Sequence, residues 1–69
     1  MIEVFKTGVQ ETAQARRILD LLLEQFPDHR INFDLHDCDK ILRVEGRNFV
    51  PETIMGIVLE NGFSCNVLE

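Results

Sequence analysis

The densest group of chemically capable side chains in the chain is His36-Asp37-Cys38-Asp39, where an imidazole, a thiol and two carboxylates follow one another. All are metal ligands, and the thiol and imidazole suit Zn(II) or copper better than hard cations. With Glu11 brought from a loop expected at the same end of the molecule, Cys38 and His36 make a candidate site for such an ion. The spacing, however, is not that of a zinc motif, in which ligand pairs recur at regular intervals. The same residues also read as a polar hairpin corner, because aspartates hydrogen-bond their own backbone in turns.

Catalysis has less support. A nucleophile beside a base, or two carboxylates facing across a pocket, is the minimum such chemistry needs, and no pair of residues here is placed to supply either. His29 follows Pro27 in a polar loop, where solvation is the ordinary reading. Asp20 and Glu24 share a helix face with Arg16 and Arg17 nearby, the pattern of a solvated charged surface. An enzyme is not expected, and no cofactor is implied.

Twelve acidic residues against seven basic ones give a formal charge of −5. Such a chain is repelled by phosphate backbones and by anionic lipid surfaces, so neither nucleic acid nor membrane is an expected partner. No apolar stretch approaches the ~20 residues that cross a bilayer, and no charged-then-apolar leader is visible. The two cysteines are too few for a disulfide framework, which makes reduced thiols in the cytoplasm the simplest expectation.

The elements that would position these residues follow from periodicity. Ile2 to Thr7 alternates as a strand, with Ile2 and Val4 on one face and Met1, Glu3 and Phe5 on the other. That phasing predicts the Phe5 ring on the outer surface of the sheet. From Thr12 to Phe26 the apolar residues Ala15, Ile18, Leu19, Leu22 and Phe26 recur at helical spacing until Pro27 ends the run. Ile31 to His36 and Lys40 to Glu45 alternate as two strands of a hairpin. Pro51 opens a second helix carrying Ile54, Ile57 and Val58, Asn61-Gly62 stops it, and Phe63 to Leu68 forms a last strand with Cys65 inward. At 69 residues this is one domain. Strand, helix, hairpin, helix, strand predicts a ferredoxin-like α+β sandwich: a four-stranded antiparallel sheet with both helices on one face.

The order of Val44-Glu45-Gly46, Pro51-Glu52 and Leu59-Glu60-Asn61-Gly62-Phe63 resembles that of heavy-metal-associated domains, as found in copper chaperones and metal-pumping ATPases. The likeness spans nearly the whole chain. In that family a Met-Thr-Cys-x-x-Cys loop after a glycine holds the metal. Aligning Gly8 with the glycine sets Val9 and Gln10 at the methionine and threonine, and Glu11 and Gln14 at the two cysteines. A carboxylate and a neutral amide do not replace thiolates for Cu(I). The resemblance therefore implies the fold and argues against the family's activity.

What remains is contact. With Phe5 and Ile41 outward, the open sheet face would carry an apolar patch among polar residues, suited to a protein partner or to a second copy of the chain. The expected function is a non-catalytic interaction module, the alternative a metal carrier or sensor at the hairpin tip.

Overall fold

The computed structural model describes residues 1–68. In chain order the elements are β1 (Ile2–Thr7), α1 (Thr12–Gln25), β2 (Arg30–Asp34), β3 (Ile41–Glu45), α2 (Pro51–Glu60) and β4 (Cys65–Val67). The strands form one sheet in the order β2-β3-β1-β4, every neighbouring pair antiparallel. This is the ferredoxin-like α+β arrangement anticipated from periodicity.

Both helices bury their apolar stripes on one face of the sheet. Ala15, Ile18 and Leu22 from α1 and Ile54 and Val58 from α2 join Phe5, Ile31, Leu42, Val44 and Cys65 from the strands in one core. Two loop residues complete it, Val9 and Phe49. Phe49 precedes Val50, the residue that caps α2, and Ile54 is the fourth residue of that helix. These are the two positions of a hydrophobic staple, which fixes the angle at which a chain enters a helix. At the other end of α2, the Phe63 N–H bonds to the Val58 carbonyl and the Gly62 N–H to that of Leu59. That Schellman pattern needs a left-handed residue just past the helix, and Gly62, at φ 92°, supplies it without strain.

The phase of β1 is opposite to the one expected. Phe5 is wholly buried on the helix side, opposite Leu42 on β3 and Val67 on β4, and Thr7 is buried beside it. Ile2, Val4 and Lys6 therefore take the open face. Alternation leaves two phases for a strand that is apolar on both sides, and a shift of one residue inverts every side chain. Thr7 resolves the choice: its hydroxyl donates to the Lys40 carbonyl at 2.6 Å, so its polar group is satisfied within the fold.

Ile41 does lie on the open face, between Lys6 and Asp34 on the neighbouring strands. Only 8% of it is exposed, although it stands outside the core. It forms the floor of a shallow depression of about 360 Å³, walled by Val4, Asn32, Asp34, Arg43 and Leu68. The apolar surface on this side belongs instead to Ile2, 58% exposed, and Leu68, 40% exposed.

Candidate functional site

The end of the sheet at which β1 finishes gathers the turn after Gly8, the tip of the β2–β3 hairpin and the turn before β4. Thr7 ties them together. Its N–H donates to the Asp39 carbonyl at 3.1 Å, its hydroxyl to the Lys40 carbonyl, and it accepts from the Val9 N–H at 3.3 Å. The Gly8 N–H donates to the Ser64 carbonyl at 3.0 Å, linking the third segment.

The hairpin tip is built from local side-chain hydrogen bonds. Asp34 Oδ1 accepts from the His36 N–H at 3.1 Å and Asp37 Oδ1 from the Asp39 N–H at 2.8 Å. These turns end β2 at Asp34 and place His36 beyond the strand expected to contain it. Lys40 takes a left-handed φ of 49°, and its ammonium donates to the Leu35 carbonyl at 2.9 Å, closing the loop on itself.

Among the described residues, Asp37, Cys38 and Asp39 bring one ligand atom each to within 4.8 Å of one another. His36 and Glu11, expected to join Cys38 around a metal, are not in that group. Both are exposed, and Glu11 stands at the start of α1. Cys38 and Cys65 are free thiols, the first exposed and the second buried. Burial pushes the Cys65 thiol up to about 11, so it stays protonated and behaves as a small apolar group.

Glu11 and Gln14 have a defined task. Glu11 is the residue that caps α1 and Gln14 the third residue of the helix. Gln14 Oε1 accepts from the Glu11 N–H at 3.2 Å and from the Gln10 N–H at 3.4 Å. The Glu11 side chain turns toward the Gln14 N–H, which completes a capping box. Glutamate is a less usual partner than serine or threonine here, yet a carboxylate at the positive end of the helix dipole is favoured. The two positions at which the resembled family carries its thiols thus satisfy helix-end N–H groups.

The opposite end of the sheet holds what residue spacing does not reveal. His29 packs edge-on between Phe26 and Phe49, with ring centroids 5.2 and 5.6 Å away. Its Nε2 lies 3.1 Å from the Arg47 carbonyl oxygen, which only accepts, so the neutral ring carries its proton on Nε2. Nδ1 is buried without a partner among the described residues. The histidine expected to be solvated is half-buried, packed between two rings and against Gly46, where a side chain would overlap its ring.

No described helix is long and apolar enough to cross a membrane. Compared with protein families, with curated proteins and with solved structures, the chain has no match.

Proposed function

We propose that the chain is a non-catalytic interaction module, cytoplasmic, with the architecture of a heavy-metal-associated domain and without that family's metal chemistry. The observation that carries this reading is the capping box. Gln14 Oε1 is already engaged by two backbone N–H groups, and the Glu11 side chain is turned toward the start of the same helix in a capping-box arrangement. Ligation there would have to release those donors. The open sheet face supports the same reading, since Leu68 beside the depression over Ile41, and Ile2 further along β1, offer apolar surface within a polar surround.

A second reading, a carrier of Zn(II) or copper, draws on the gathering of Asp37, Cys38 and Asp39. Amide NMR of reduced protein, titrated separately with Cu(I) and Zn(II), separates the two. The interaction module leaves residues 8–14 and 36–39 unshifted. Saturable shifts in those segments, lost in Cys38→Ala, would establish the carrier instead.

A further inference from the structure

The sheet has two free edges, and they are unequal. β4 has three residues, whereas β2 runs for five, Arg30-Ile31-Asn32-Phe33-Asp34, in unbroken register with β3. Proteins blunt exposed edges by shortening or bulging them, or with proline or inward charges. β2 is neither short, bulged nor interrupted by proline, and its two charges, Arg30 and Asp34, point to the open face and are of opposite sign, so they oppose a like-charged edge but match an antiparallel copy. Beside it, between β2 and α1, lies a surface groove of about 370 Å³ whose apolar lining is Ala15, Leu19, Phe33 and Leu35.

We propose that β2 pairs antiparallel with β2 of a second copy of the chain, centred on Asn32, to make one continuous sheet across the two copies. The register follows from face and charge. Arg30, Asn32 and Asp34 alternate onto the open face, and a sheet that continues across a two-fold axis must set open-face residues opposite open-face residues. Centring the axis on Arg30 or on Asp34 would place like charges opposite each other. Centring it on Ile31 or Phe33 would leave a charged residue of each strand outside the pairing. Only the Asn32 centre pairs the full strand. It places each Arg30 opposite Asp34 of the second copy, twice by symmetry, and Ile31 opposite Phe33 on the helix side.

The charges are free for this use. Among the described residues the ion pair within 4.0 Å is Lys6 with Asp39, and neither Arg30 nor Asp34 takes part in one. The bond from the His36 N–H to Asp34 Oδ1 holds that carboxylate at the end of the strand and leaves its other oxygen to a guanidinium. Two opposite-charge pairs also offset, at the contact itself, the repulsion between copies that each carry a charge of −5. This contact names a partner for the interaction module but does not depend on its metal-free reading, so metal binding at the hairpin tip would leave it standing.

Sedimentation velocity across a concentration series at low salt tests it with Arg30→Asp and Asp34→Arg. The first variant has carboxylates at both ends of β2 and the second has guanidiniums, so each repels itself. Each should raise the dimer dissociation constant on the order of tenfold or more, and an equimolar mixture should form the mixed dimer. Amide hydrogen exchange of the unaltered protein reads the same contact without substitution: β2 amides gain protection with concentration and β4 amides do not. A monomer at every concentration, a dimer indifferent to both variants, or a mixture that stays monomeric would overturn the proposal.

Discussion

The two ends of the sheet are closed by opposite means. Where β1 finishes, three turns are joined by hydrogen bonds centred on Thr7, and the side chains with ligand chemistry, His36, Asp37 and Cys38, stand in solvent. Where β1 begins, the Gly46 N–H bonds to the Met1 carbonyl, and the gap is filled by His29 between two phenylalanine rings. The difference teaches that chemical capability in a residue list is not the same as placement. The exposed cluster has the richer chemistry and only shallow surface depressions beside it, while the half-buried histidine is held between two rings and serves packing.

The largest effect that tests this contrast is expected at Gly46. A Cβ there would overlap His29 Cδ2 and lie 2.6 Å from Cγ, so Gly46→Ala must displace a ring held on both sides. Urea unfolding should show a loss of about 1–3 kcal/mol, the range for overpacking. In a His29→Ala background the overlap disappears. The φ of Gly46 lies outside the left-handed region, so the same substitution should then be neutral or stabilise by up to about 1 kcal/mol through the unfolded chain. A loss of equal size in both backgrounds would mean that the ring is not what Gly46 accommodates.

How far the residues alone disclose this arrangement depends on whether the determining contact is local. Proline and glycine signals and helical spacing place every element within a few residues, because caps and apolar stripes are properties of neighbouring positions. β1 is misphased because Ile2-Glu3-Val4-Phe5-Lys6-Thr7 is apolar on both faces, and its deciding contact, Thr7 with Lys40, lies 33 residues away in the chain. Phe5 accordingly lies in the core, Ile41 on the open face as expected but nearly covered, and the exposed apolar side chains on that face are Ile2 and Leu68. The packing around His29 is concealed for the same reason, since it joins residue 29 to residues 46–49. Two signals could have been read: Phe49 and Ile54 stand at staple positions before and within α2, and Glu11 with Gln14 at the spacing of a capping box.

At the hydrogen-bonded end the corresponding test is Thr7→Val, which keeps the shape and deletes the hydroxyl. The Lys40 carbonyl loses its donor and the Val9 N–H its acceptor, both beside a buried position. A cost of about 1–3 kcal/mol is expected, since groups left unsatisfied near the core bear their own desolvation. Hydrogen exchange should locate the change, with the Thr7 and Val9 amides losing protection while those around His29 keep theirs. Loosening spread equally over both ends would show that the two closures are coupled rather than separate.

The smallest effect is also the one closest to function. Gln14→Ala removes the acceptor of the Glu11 and Gln10 N–H groups from an exposed helix start, for which a cost of about 0.5–1 kcal/mol is expected. The more telling comparison is a chain carrying both Glu11→Cys and Gln14→Cys. Those substitutions give up the capping box to recreate the thiol pair of the resembled family, on a backbone that already buries Val9 beside it. The double variant should be less stable than the parent without metal and should regain stability when Cu(I) is added, because an ion bound only by the folded state stabilises it by mass action. If Cu(I) stabilises the parent equally, the capping residues are not what withholds the metal; if it stabilises neither, the geometry of this loop differs from that of the family beyond the two side chains.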